Sequence, residues 1–262
     1  MPSDRSTRVL NALCSAVANH ERLRLLGHCE PVELTDGVVL CERGKDYAHA
    51  YFPLTCSISV VTELHGHAPL EMGLIGNEGM LGASLAQGNE RAPMRAVVRG
   101  SGSALRISAA QCRELLGSSP SLGRVMQHYL YVLMLQLSHA CACIRFHEIE
   151  PRLARWLLMT HDRAHADRFH LTHQSLADLL GVRRSGITVA AGNLQGRGLI
   201  RYRRGEIVVT DRSGLEAASC RCYEVLLDDY AKGMAMPSAS VRAAILASQT
   251  EPARGSSSPQ RA

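Results

Sequence analysis

The spacing of apolar residues changes period several times along the chain. Between Val32 and Ile107 they fall in short runs: Val38–Cys41, Ala50–Phe52, Ser57–Glu63, Glu71–Ile75, Arg95–Arg99 and Gly102–Ile107. Turn signals at Asp36-Gly37, Arg43-Gly44, His65-Gly66 and Gly76-Asn77 cut them apart. Regular short strands with tight turns predict a β-roll or barrel. From Val125 to Ile144 the period lengthens and no Asp, Glu, Lys or Arg occurs. Met126, Leu130, Leu133, Leu137, Ala140 and Ile144 recur there at alternating steps of four and three. That spacing predicts a long helix carrying the seam of a two-stranded coiled coil, hence a homodimer. Pro120 suits its first turn. The run is long enough to span a membrane. Gln127, His128, Gln136, Ser138 and His139 interrupt it, so a dimer helix is the better reading and no membrane contact is expected. A hinge is expected near Phe146–Glu148, followed by an apolar face of Leu153, Trp156, Leu157 and Met159.

The most specific pattern is Leu171 to Ile200, LTHQSLADLLGVRRSGITVAAGNLQGRGLI. Leu176, Leu179 and Leu180 line one side of a first helix, with Ala177 small enough to admit a second. Gly181 follows, where a chain reversal through a left-handed conformation costs glycine least. From about Arg183 to Gln195, Ile187, Ala190, Ala191 and Leu194 share a face. This is the layout of a helix-turn-helix, whose second helix can enter a major groove. Leu199 to Thr210 then reads as a hairpin with a basic tip at Arg203-Arg204-Gly205, a wing placed to touch phosphates.

Charge sharpens this reading. Between Leu171 and Leu215, arginines at 183, 184, 197, 201, 203, 204 and 212 face only Asp178, Glu206 and Asp211. Such a surplus is the electrostatic footprint of a nucleic-acid-binding module. The whole chain is only modestly basic, at +5, and Lys45 and Lys232 are its only lysines.

The segment resembles the winged helix-turn-helix of the Crp/Fnr family of bacterial transcription regulators. It carries the opening L-T-x-x-x-L-A-x-x-L-G-V and the closing L-x-x-x-G-L-I. Upstream, V-E-L-x-x-G-x-V-L-x-E-x-G from Val32 and Tyr51-Phe52-Pro53 resemble the same family's sensor. The resemblance implies an α+β chain: helices and a jelly-roll-like β-roll sensor over 1–119, a dimer helix over 120–147, a winged helix-turn-helix over 148–232 and a disordered tail over 233–262. Carried onto this sequence, the DNA-binding positions are Thr172, Gln174, Arg183, Arg184, Ser185, Thr188, Val189, Arg201, Arg203 and Arg204. Ser185 stands where well-known members have Glu, and Val189 where they have a second Arg, so the operator should differ from the familiar one.

Cyclic-nucleotide pockets of this fold carry G-E-L and, further on, R-[ST]-A; the Arg pairs with the cyclic phosphate. Here the stretch is IGNEGMLGASLAQGNERAPMRAVV. Glu78 is displaced by one position, and Ala92-Pro93 follow Arg91 where a hydroxyl and a backbone donor are wanted. Glu78, Arg91 and Arg95 are the candidate effector residues, and the identity of the effector is open. The alternative function is a receptor for a cyclic nucleotide or other small molecule, with DNA contact secondary. Activation would also need a surface for RNA polymerase, and no stretch identifies one.

At 262 residues, with 46% apolar and 20% charged residues, the chain can bury real cores. The first residues suggest a leader helix capped by Ser3 or Asp4, with Val9, Leu10 and Leu13 apolar, then a helical turn over His20–Leu26. That start lacks a signal peptide's apolar segment and cleavage site. With nine scattered cysteines it predicts free thiols in a reducing cytoplasm. Cys141-Ala142-Cys143 and Cys220-Arg221-Cys222 both fall on expected helices, where residues two apart diverge, so neither pair should chelate by itself. His161, His165, His170 and His173 read as solvated loop histidines, without the fixed spacing of a zinc site. No metal site and no catalytic residue is expected: no nucleophile has a positioned base and no glycine loop cradles phosphate.

Overall fold

The computed structural model describes residues 11–164 and 168–234. The expected leader residues before Asn11, His165, and the tail from residue 235 lie outside the described residues. Helices α1 (Ala12–Ala16) and α2 (Asn19–His28) open the described chain. Asn11 caps α1 by accepting from the backbone N–H groups of Leu13 and Cys14. Its amide donates to the carbonyls of Pro53 (3.0 Å) and Gly79 (2.8 Å), which fastens the helix to the roll.

The strands are β1 (Glu30–Leu34), β2 (Val39–Cys41), β3 (His49–Pro53), β4 (Ser57–Thr62), β5 (Leu70–Ile75), β6 (Arg95–Arg99) and β7 (Gly102–Ser108), with a 3-10 turn at Ala83–Gln87. They form two antiparallel sheets, ordered β1-β7-β3 and β2-β6-β4-β5. Ala50, Phe52, Ile58, Ala96 and Ile107 lie within the roll core, each at most 1% exposed. The six expected runs each coincide with a strand, apart from Val38 and Glu63 at their ends. β1 is an addition; its Glu30 meets Arg106 across the sheet at 2.6 Å.

Helix α3 (Ala109–Ser118), capped by Ser108, leads to α4 (Pro120–Phe146). At 27 residues, α4 is about 40 Å long. Among the described residues it is the one helix long and apolar enough by length and composition to cross a membrane. Here it is flanked by the roll and by the last helix among the described residues, α9 (Cys222–Gly233). Tyr129 is wholly buried; its hydroxyl accepts from Met80 N–H (3.1 Å) and donates to Met80 C=O (3.3 Å). A Cβ at Gly79 would collide with that ring, so close approach requires the glycine.

These packings occupy two of the six expected dimer-seam positions. Met126 and Ala140 are 2% and 8% exposed and spent within the chain. Leu130, Leu133, Leu137 and Ile144 are half-buried, and Leu130, Leu133 and Leu137 border a cavity against the roll. Tyr131 and Met134 are more open, 52% and 59% exposed, and Met134 borders the same cavity. The apolar repeat is shared among neighbours in the same chain, which spacing alone does not distinguish from a partner helix.

Helix α5 (Ile149–Ala164) follows a one-residue cap at His147 and a break at Glu148. Then come β8 (Arg168–His170), α6 (His173–Leu180), α7 (Arg184–Gly196), β9 (Ile200–Arg203), β10 (Glu206–Val209) and α8 (Arg212–Ala218), with α9 returning the chain to α4. Strand order in the small sheet is β8-β10-β9. His161 corrects the loop-histidine expectation: it sits in α5, 5% exposed, against the guanidinium of Arg212 at 2.8 Å. His170 is in β8 and exposed, and His173 opens α6 half-buried.

The α5–α6 unit docks onto the roll through polar groups. Trp156 Nε1 donates to Glu71 Oε1 (2.7 Å), and Ser59 donates to the other carboxylate oxygen (2.5 Å). Arg163 donates from Nη2 and Nε to Glu78 Oε1 at 2.6 and 2.9 Å, with both side chains almost fully buried. Arg152 donates to the carbonyl of Leu180.

Candidate nucleic-acid interface

Thr172 caps α6, its hydroxyl accepting from Ser175 N–H at 3.1 Å. Losing such a cap costs about 1 kcal/mol. Leu176, Ala177, Leu179 and Leu180 are buried, so the helix keeps its polar side outward. Gly181 takes φ 64°, and its N–H and that of Val182 close onto the carbonyls of Asp178 and Ala177. Helix α7 starts two residues later and buries Ile187, Ala190, Ala191 and Leu194. The opposite side of α7 is left to solvent.

On that side Arg183, Arg184, Ser185, Thr188 and Val189 are exposed, Val189 at 63%. Thr188 is also held locally: its hydroxyl donates to Arg184 C=O and lies 3.0 Å from His173 Nδ1. His173 stacks on Tyr202 of the wing, ring centroids 4.3 Å apart. Burial, then the charge of Arg184, lowers its pKa. Gln174 is exposed and donates to Asp178 at 2.8 Å. The wing turns through Arg204-Gly205, with φ of 52° and 81°. A two-residue hairpin with both residues at positive φ is the turn that matches strand twist, and it projects Arg203 and Arg204 outward.

Arg183, Arg184, Arg201, Arg203 and Arg204 make no ion pair with an acid among the described residues. Arg197 is different: with Asn193 it is engaged by Glu150 of α5, at 3.1 Å. Arg212 is tied to Asp162 at 2.8 Å. The free guanidinium groups therefore surround the start of α7 and the wing tip, while the others hold the domain together. Preorganised free cations beside an exposed helix N-terminus can bind a phosphate backbone.

Residues 151–218 match the family model for a Crp-like helix-turn-helix domain. Those residues therefore form a Crp-like helix-turn-helix domain, and the chain shares its fold with solved Crp/Fnr-family proteins. A Crp/Fnr-family regulator from Eubacterium rectale superposes with TM-score 0.62 at 15% identity, over 79% of this chain and 96% of that one. A Crp/Fnr-family regulator from Thermus thermophilus gives 0.60 at 21% identity, over 72% and 98%. CLP of Xanthomonas campestris, described as a c-di-GMP-responsive global regulator, gives 0.57 at 19%, over 73% and 99%. No curated protein matches by sequence.

Within this fold the expected effector residues are not brought together. Glu78 is 4% exposed and neutralised by Arg163 of α5. Arg91 is exposed at a bridge to Asp46, 3.9 Å from its carboxylate. Arg95 is held by Glu63 (2.7 Å) and Glu42 (3.4 Å). The sequence around Gly76 points to a pocket motif, but the partner of Glu78 lies 85 residues away, beyond local inspection. The space between roll and α4 is instead a cavity of about 310 Å³ lined by groups such as Val60, Met72, Met80, Leu133 and Leu137, with Tyr47, Gln87 and Gln136 its polar members and no charged residue. A cyclic phosphate would find no cation there.

One further grouping escapes a reading of the sequence. Cys143 near the end of α4 meets both thiols of the second Cys-x-Cys pair, and His147 joins them. Cys220 is not helical: it lies in the turn before α9, with Cys222 the first helical residue. The signal is present as Cys143 and His147 four residues apart at a helix end, but neither cysteine pair taken alone reveals it.

Proposed function

We propose that this regulator acts as a cytoplasmic homodimer on a palindromic operator, with half-sites about 34 Å apart. Arg184, Ser185 and Val189 face base edges. Arg183, Arg201, Arg203 and Arg204 hold phosphates. The observation that carries this reading is the set of arginines without acidic partners around the exposed start of α7. The open face of α4, with Tyr131 and Met134, is the surface for the second subunit. Residues 1–119 then act as sensor, 120–147 as dimer helix and 148–232 as DNA-binding unit, with RNA polymerase the further partner if genes are activated. The apolar cavity between sensor and α4 favours an uncharged, apolar effector over a cyclic nucleotide.

Selection of bound duplexes from random DNA tests the proposal. A two-fold symmetric consensus is expected. Affinity should fall steeply with salt, by a log–log slope of about 0.9 per phosphate neutralised. Asymmetric or unselected sequences with no salt dependence would defeat it.

A further inference from the structure

The junction between α4 and the DNA-binding unit holds Cys143, His147, Cys220 and Cys222. One potential ligand atom from each lies within 4.8 Å of all the others. Cys143 Sγ is 3.7 Å from Cys220 Sγ, and Cys222 Sγ is 3.5 Å from His147 Nδ1. A tetrahedral zinc ion has Zn–S bonds of about 2.3 Å and Zn–N bonds of about 2.0–2.1 Å. The edges of that tetrahedron are about 3.8 Å between sulfurs and about 3.5 Å between sulfur and nitrogen. The two observed spacings already match those edges; the remaining sulfur–sulfur pairs need to close by at most about 1 Å and the sulfur–nitrogen pairs by at most about 1.3 Å.

We propose that these four residues bind one divalent zinc ion in a closed Cys3His site. Three features support it beyond distance. The ligands come from two rigid supports: Cys143 and His147 lie one helical turn apart at the end of α4, and Cys220 and Cys222 flank the start of α9. Cys143 and Cys220 are buried while Cys222 and His147 are half-buried, so the site is dry but has an entry path. Arg155 of α5 interacts with all three thiols, and its Nε is buried without a hydrogen-bond partner. Three thiolates, a neutral imidazole and Zn²⁺ sum to one negative charge, which the guanidinium complements. Binding releases the protons held by the three thiols and leaves every sulfur unoxidised.

The site spans the hinge. His147 is the C-cap of α4, and Cys220 N–H donates to Pro151 C=O in the first turn of α5. The metal therefore fixes the end of the dimer helix to both α5 and the α8–α9 turn, and sets the angle at which α7 is presented. Cys220, Cys222 and α9 lie beyond the residues that match the family's helix-turn-helix domain. The site stands independently of the DNA reading.

The full-length reduced chain, stripped of metal, is titrated anaerobically with Co²⁺ and then with Zn²⁺. One equivalent of Co²⁺ should give thiolate charge-transfer absorption with intense tetrahedral visible bands, and one equivalent of Zn²⁺ should abolish them. Cys222→Ser and His147→Ala should weaken binding at least tenfold, while Cys141→Ser, exposed on the same helix, should leave it unchanged. The proposal is overturned by octahedral Co²⁺ spectra, by no stoichiometric binding, or by equal loss in Cys141→Ser. A Cys143–Cys220 disulfide found by mass spectrometry in protein kept reduced would also overturn it. Because the wild-type titration needs no variant, a misfolded mutant cannot rescue the idea.

Discussion

Two sets of arginines in this molecule are used in opposite ways. In the roll and the helix α3 that follows it, Arg91, Arg95, Arg106 and Arg113 each face a carboxylate: Asp46, Glu63 with Glu42, Glu30, and Glu90. On the winged helix, Arg183, Arg184, Arg201, Arg203 and Arg204 face solvent without one. Local density of basic residues thus says little until the acids are placed beside them. A paired arginine on a surface contributes little to stability and has little left for a ligand; a free one adds to the field that draws in a polyanion. Arg163 is a third case, buried where α5 meets the roll and held by Glu78.

That third case gives the largest expected effect. Glu78→Ala strands a buried guanidinium, and breaking such a pair costs about 3–5 kcal/mol. Urea unfolding should show the loss. Replacing both partners, Glu78→Met with Arg163→Met, should recover most of it, since neither charge of the pair is then left behind. If Glu78→Ala were silent in stability but abolished effector response, Glu78 would belong to the ligand pocket after all, and the contrast between the two sets would fail.

The free arginines come next. Arg184→Ala should cost about 1–3 kcal/mol of DNA affinity and relax preference at one base pair. Arg203→Ala should weaken all sequences alike and lower the salt slope by about one. Competition binding on a palindrome and on its point variants separates the two. Equal behaviour of both variants would mean that the start of α7 touches backbone only.

Much of this surface is legible in the sequence. Gly181, the buried leucines of α6 and the basic two-residue turn at Arg204-Gly205 each carry a local signal, because turn chemistry and helical period act within a few residues. What escapes depends on distant partners. β8 has only three residues and owes its state to pairing with β10. β1 shows just Val32 and Leu34 on either side of Glu33, too short an alternation to read. The seam on α4 fails at Met126 and Ala140 because the roll and α9 supply apolar neighbours that a heptad count assigns to a second chain. The Cys3His cluster is hidden for a similar reason: its halves are 73 residues apart between His147 and Cys220.

A smaller effect concerns the interface acid that no arginine pairs directly. Glu71 is half-buried as a residue, but its carboxylate points inward to Trp156 and Ser59. Burial raises its pKa, opposed by those two hydrogen bonds and by Arg99 and Arg155. The folded state thus holds the proton more tightly than the unfolded one. Its contribution is full below the ordinary glutamate pKa and is lost as pH rises through the raised value. Trp156 is the only tryptophan, so its fluorescence reports the contact. Wild type minus Glu71→Gln should show stability falling with rising pH; a difference that rises instead would mean the carboxylate is stabilised in its charged form.

The smallest effect is expected where the pairing is most exposed. Arg91 and Asp46 have side chains 77% and 72% exposed and stand 3.9 Å apart. Pairs of this kind contribute about 0–1 kcal/mol, so Arg91→Ala should leave the urea midpoint nearly unchanged. Calorimetry with cyclic AMP and cyclic GMP should give no binding heat in wild type or variant, because the cavity beside α4 offers no cation to a phosphate. Binding that disappears with Arg91 would show that a roll arginine can leave its acid for a ligand. The division between paired and free arginines would then describe one state of the molecule, and the effector would be what moves an arginine from one class to the other.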